Sequence, residues 1–140
     1  MDVILSYNNN EVVMVFPVVP NDGIEINSPQ SNGNFESTQG TMNTIGTMGL
    51  KTVSIHSIFP TRDYPWLRPN AMSDGWQYVN LIESGRRRYI PFRVILLNND
   101  GSTILNMPCT VDSFTYSRDK VGDIAYTLDL REYRFMTYKA

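Results

Sequence analysis

Apolar and polar residues alternate along the chain in short runs separated by Pro, Gly and Asn, a pattern of strands more than of helices. "EVVMVFPVV", residues 11–19, is a β-branched run that predicts a first strand, with Pro17 placing its far end at an edge or bulge. "GIEIN", 23–27, sets Ile24 and Ile26 against Glu25 with the period of a half-buried strand. From 27 to 49 the chain is Ser, Asn, Gly and Thr with scattered Phe35, Met42, Ile45 and Met48. Such a stretch cannot build a core layer alone and predicts a long polar loop. Its extended segments, around 35–38 and 42–45, are expected to order against a partner.

Leu50 to Phe59 alternates cleanly, Val53, Ile55, Ser57 and Phe59 on one side and Thr52, Ser54 and His56 on the other. Pro60, Pro65 and Pro69 then punctuate an aromatic connector that no regular helix fits. "MSDGWQYVNLIESG" predicts the one amphipathic helix, about residues 74–84. Ser73 or Asp74 caps it, Trp76, Val79 and Ile82 form its apolar face, and Gly85 is expected to be its left-handed stop.

Beyond it, "YIPFRVILL", "GSTILNMPCTVDSFTYS" and "DIAYTLDLREYRFM" read as three or four strands, with turn chemistry at 98–101 and 118–123 folding them into an antiparallel meander. Ile124, Tyr126, Leu128 and Leu130 share a face; after Arg131 the apolar parity passes to Tyr133 and Phe135, which predicts a bulge or sharp bend. The fold class is therefore mainly β (α+β): a small antiparallel β-sandwich or partly open barrel with one helix and a long polar loop.

The length of 140 residues fits a single domain over 1–140. Charged residues are 19%, below the roughly 25% of an average domain, and the net charge is −2. Such a chain has no general field for phosphates, so no nucleic-acid partner is expected. Its single cysteine, Cys109, excludes an internal disulfide and a Cys-rich metal site. The N-terminal apolar run is broken by Ser6 and Tyr7, too early for a signal peptide, and no stretch reaches the length of a membrane span.

"GTMGLKT", 46–52, resembles a phosphate-binding loop, but Leu50 separates Gly49 from Lys51 and a β-branched strand follows where a helix is needed. It reads instead as a glycine turn entering a strand. His56 is the only histidine and sits on the polar face; Cys109 matches the apolar parity of Val111 and reads as a small buried hydrophobe. Asp112 with Asp129 or Glu132 could face each other on paired strands as hydrolase carboxylates, yet solvated strand faces with cross-strand Arg or Lys partners are the reading preferred for them. No catalytic residue, cofactor or metal is expected, and the chain is not read as an enzyme.

Two features point to binding. Arg86, Arg87 and Arg88 are either a docking patch for an acidic protein surface or a cationic helix end. In the aromatic region Phe59 and Trp76 read as core and Trp66 as an interface residue; a carbohydrate-binding β-domain stacking sugars on Tyr64, Trp66 and Trp76 is the alternative.

One ordering of motifs resembles a known family. "NTIG", then "SIHSIFP", the aromatic connector, "DGWQYVNLIESGRRR", "IPFRVILL", "NMPCTVDSFTYS" and "YTLDLREYRF" occur in that order between about Pro20 and Phe135. The chain resembles the N-terminal domain of the LysM-containing tail proteins of PBSX-like prophages, contractile-tailed phages and phage-tail-like bacteriocins. The resemblance implies a structural protein in the baseplate of a virion or tail-like particle, assembled in the host cytoplasm. It would join the central hub, spike and tube end to the surrounding wedge subunits, as a ring of copies, six in number. No LysM module is visible in the sequence, so glycan binding is not expected to carry over. The interface residues expected on this reading are Phe35, Met42 and Ile45 in the polar segment, Trp66, Arg86 to Arg88, and Tyr133, Phe135 and Tyr138 near the C-terminus.

Overall fold

The computed structural model describes residues 2–18, 24–61 and 74–135. In chain order its elements are β1 (Asp2–Tyr7), β2 (Val12–Val15), β3 (Glu25–Asn27), β4 (Gly33–Ser37), β5 (Gly40–Thr44), β6 (Thr52–Phe59), α1 (Gly75–Arg87), β7 (Phe92–Leu97), β8 (Thr103–Arg118) and β9 (Ile124–Glu132). Seven strands form one antiparallel sheet in the order β2-β1-β7-β8-β9-β6-β3, while β4 and β5 pair only with each other. The fold is the mainly β, open-barrel arrangement expected from the alternation, with β7, β8 and β9 as the expected meander.

The sheet is rolled. β2 and β6 stand five strand spacings apart, about 24 Å if the sheet were flat. Yet Phe16, just past β2, lies edge-on to Phe59 at the end of β6 with ring centroids 5.4 Å apart. Phe59 is stacked between Tyr126 of β9 (3.9 Å) and Tyr78 of α1 (4.8 Å), and Phe16 meets both of those rings edge-on. The Tyr78 hydroxyl donates to the carbonyl of Val15, tying α1 to β2. These four rings draw together β2, β6, β9 and the helix, and a single buried cluster continues from them along the inward residues of every long strand.

Several expectations are corrected. The strand β1 precedes the predicted first one: Val3, Leu5 and Tyr7 point inward, and the chain turns through Asn8, Asn9 and Asn10, all with positive φ (53°, 57° and 66°), a conformation Asn tolerates better than most residues. The predicted strand from 11 to 19 therefore shrinks to the edge strand β2, which ends before Pro17. β3 is exposed along its length, and of the two isoleucines expected to face inward only Ile24, just before it, packs partly buried against the core. The segment 27–49 is not a loop: β4 and β5 make a hairpin within the single chain.

The helix starts at the expected cap, the Asp74 carboxylate accepting from the Trp76 amide at 3.1 Å, but runs past Gly85 to Arg87. Gly85 is a contact residue, since a β-carbon there would lie 2.6 Å from the Phe92 ring and 3.0 Å from Tyr7. Tyr89, not Gly85, takes the left-handed conformation (φ 56°). Trp76, expected in the core, is 40% exposed, and Tyr78 fills the core position. β9 ends at Glu132 without a bulge after Arg131; the irregularity lies in the partner strand, between Val111 and Ser113.

The Tyr126 hydroxyl is buried without a hydrogen-bond partner among the described residues, and burial pushes its ionisation upward. Phe59→Ala should cost about 3–5 kcal/mol in urea unfolding. Tyr126→Phe should be neutral or stabilise by about 1 kcal/mol, because it removes an unsatisfied polar group and keeps the ring. Cys109 is buried as expected, and burial pushes its thiol from 9.0 up to about 12. Because the folded-state value lies above the unfolded one, the contribution to stability is complete below about pH 9 and declines as pH rises from there towards 12. Native protein at about pH 8 should therefore resist alkylation by iodoacetamide, and urea-unfolded protein should react fully.

Candidate interaction surface

The β4–β5 hairpin is built from a sequence poor in core-forming residues, and every residue from 25 to 45 is exposed. It projects as an arm. Phe35 and Met42 are direct cross-strand partners, 51% and 42% exposed, and Ile45 just beyond is 84% exposed. Cross-strand apolar pairing and the main-chain ladder hold the two strands to each other, while nothing in the barrel covers their apolar side chains. Glu36 is the only charged residue between Gly33 and Thr44, and it accepts from the Thr41 hydroxyl at 2.8 Å.

The arm is rooted where residues 29–32 cross 46–49. Gln30 and Met48 form a bridge, the Ser31 amide donates to Thr47 (2.9 Å), and the Gly49 amide donates to Pro29 (2.9 Å). The Asn32 side chain accepts from the Gly46 amide, and Gln30 donates to the Gly46 carbonyl. The approach is so close that a β-carbon on Gly46 would fall 1.6 Å from the Ser31 carbonyl oxygen. The glycines that resemble a phosphate loop are thus what lets two backbones cross. Lys51 then leads into β6, as the strand reading expected.

A second fastening comes from the far end of the sequence. The Arg134 guanidinium donates to the carbonyls of Gly49 (3.1 Å) and Met48 (3.4 Å). The Glu132 carboxylate accepts from the Lys51 amide (3.1 Å) and lies 3.8 Å from Arg134, while the Glu132 amide donates to the Lys51 carbonyl at 2.7 Å. Tyr133 and Phe135 flank this clamp, exposed and in edge-to-face contact at 5.0 Å. Arg134 thus ties the C-terminal segment to the root of the arm, while Tyr133 lines a cleft with Arg86, Tyr89 and Thr110, and Phe135 lines another with Asn8, Ile90 and Pro108. Sequence reasoning selected Phe35, Met42, Ile45, Tyr133 and Phe135 but missed Arg134, whose partners are carbonyls about which a sequence carries no signal.

Of the other candidates, Arg86 lines the same cleft as Tyr133, at the end of the helix. Arg86 pairs with Glu83 at 2.9 Å on its own helix and Arg88 with Glu11 at 3.5 Å across the β1–β2 turn. Arg87 is exposed in the last helical turn. Surface pairs of this kind contribute at most about 1 kcal/mol each. Trp66, Tyr64 and Tyr138 lie outside the described residues, which leaves Trp76, edge-on to Tyr116 at 6.3 Å, as the one sugar-stacking candidate that can be placed. Asp112 and Asp129 line an open cleft of about 440 Å³ with Glu25. Each is engaged, Asp112 with Arg131 (2.9 Å) and Asp129 as acceptor from the Ser54 hydroxyl (2.9 Å). His56 is exposed and contacts the Thr127 hydroxyl. Among the described residues no group of three or more His, Cys, Asp or Glu is arranged to hold a metal ion.

No protein-family model matches the sequence, and no curated protein matches it. The fold does match solved structures along its whole length. One is a chain in the tail of an empty gene transfer agent particle determined by helical refinement with C6 symmetry: TM-score 0.59, 15% identity, covering 100% of this chain and 96% of that one. Another is a chain in the virion of a native gene transfer agent particle: TM-score 0.57, 14% identity, covering 99% and 96%. At this identity the likeness is one of fold.

Arg134→Ala should loosen the root of the arm without disturbing the barrel. Amide hydrogen exchange at Ser31 and Gly49 should accelerate several-fold, while exchange in β1, β7 and β9 stays at the wild-type rate. Uniform acceleration throughout the molecule would show instead that Arg134 supports global stability.

Proposed function

We propose that this protein is a structural subunit of a phage tail or tail-like particle, built into it as a ring of copies, with no catalytic role. The observation that carries the reading is the full-length match in fold to a chain of a C6-symmetric tail. The exposed arm supports it independently. A two-stranded hairpin is at best marginally stable alone in water, and one that also displays Phe35, Met42 and Ile45 is suited to burial against a neighbour.

Within the particle, the proposed position is the baseplate, where the protein joins the central hub and tube end to the surrounding wedges. The resemblance of the ordered motifs to those of LysM-associated tail proteins favours that position. In this reading the arm and the Tyr133–Phe135 segment make the contacts, adding strands or apolar side chains to adjoining subunits. A second position, a subunit repeated along the tail shaft, is favoured by the helical refinement of the matched tail.

Copy number separates the two. Quantitative mass spectrometry of purified particles should give six copies for a single baseplate ring of the matched C6 symmetry, and a number proportional to tail length for a shaft subunit. Absence from purified particles would overturn the tail reading altogether. Phe35→Asp should reduce incorporation into particles while leaving the melting temperature of the isolated protein within about 1–2 °C of wild type, since exposed positions carry little fold stability.

A further inference from the structure

The strand β8 is longer than either of its neighbours can cover. It pairs with β7 from Thr103 to Cys109 and with β9 from Cys109 to Arg118. β7 begins only at Phe92, after Pro91, so beyond Cys109 no strand of the described residues lies on the β7 side of β8. The direction of the peptide groups follows from the ladder. The Glu132 amide points to Lys51, towards β6, so Asp129, Thr127 and Ala125 turn theirs to β8, where they meet Ser113, Thr115 and Ser117. By alternation the amides and carbonyls of Phe114 and Tyr116 point to the open side. The edge from Ser113 to Arg118 carries no Pro and no Lys, and all of its residues except the half-buried Phe114 are exposed.

The arm presents the complementary deficiency. Among the described residues the outer edges of both β4 and β5 are unpaired, and five-residue strands match the length of the open edge of β8. Signs of charge also agree: the arm strand carries Glu36 and the edge ends in Arg118. The arm springs from between β3 and β6, on the other side of β9 from the open edge, and stands free of its own barrel. Donor and acceptor on one chain that do not meet each other are the elements of a head-to-tail contact between copies, which closes into a ring when its rotation permits. We infer that the β4–β5 arm of one copy adds as strands to the Ser113–Arg118 edge of β8 in the next copy. This assignment rests on the ring reading above and names the surface that receives the arm.

Cysteine crosslinking tests it. Asn34 on β4 and Thr115 on β8 are both exposed, and the native Cys109 is buried, so it does not compete. Asn34→Cys and Thr115→Cys variants of the full chain are co-expressed, with different tags, in cells producing the particle and treated with a bismaleimide spanning about 8 Å, the reach of diagonal cross-strand neighbours. The expected product is a mixed dimer carrying both tags, absent when either variant is expressed alone, and a ladder of multimers from the double variant. Adding Phe35→Asp to the Asn34→Cys chain should abolish the mixed dimer. Dimers from Asn34→Cys alone, adducts only with other proteins, or no mixed product would each overturn the assignment. Mass spectrometry of the same particles reads the tail reading separately: a chain present in particles without a mixed dimer refutes the β8 edge and leaves the tail role standing.

Discussion

Four aromatic rings hold the architecture. A seven-stranded antiparallel sheet has no intrinsic reason to close, and its right-handed twist alone leaves the outer strands far apart. Phe16, Phe59, Tyr78 and Tyr126 bring them together, because the rings come from β6, α1, β9 and the residue after β2, and all four lie within 6.0 Å of at least one other. Aromatic pairs gain about 0.5–1.5 kcal/mol beyond the area they bury. The geometric effect exceeds that sum: with the sheet rolled, the inward faces of β1, β6, β7, β8 and β9 look at one another and share a core. The cluster also fixes α1 over the gap through Tyr78. Rolling is what leaves the arm outside, since the barrel is filled without any residue from 25 to 45.

Much of this was legible in the sequence where burial is one-sided. The alternation in β6, β7 and β9 reproduces their inward faces, and Asp74 caps the helix because a carboxylate there satisfies a free amide. The reading failed where a residue type carries two meanings. Gly85 serves as well for a close approach to Phe92 as for a helix stop, and only the neighbouring strand decides between them. The Asn8–Asn10 turn hid β1, since polar residues between two apolar runs look like an end as much as a hairpin. In the arm, Phe35 and Met42 were visible as apolar outliers, but their pairing depends on a turn closed by Ser37 and Gly40. The clamp of Arg134 on Met48 and Gly49 has no local signature at all.

The candidate surface therefore has two parts. One part is a hairpin whose side chains match no cavity in its own barrel, and the other is the end of β9 with the aromatic residues after it. Arg134 and Glu132 fasten the root of the arm, at 48–51, to the end of β9 through hydrogen bonds to backbone groups. The basic helix end, by contrast, is largely engaged with acids of its own chain.

The crossing at Gly46 and Ser31 divides the molecule into parts under different steric constraints. A change at the crossing is blocked by the backbone itself, since a β-carbon has nowhere to go. A change farther out meets only solvent or a partner, and the barrel does not register it. The exposed positions of the arm can therefore be changed, or the arm lengthened or shortened, while the scaffold beneath it stays the same. Such a layout lets one small domain be refitted to new neighbours without having to be refolded.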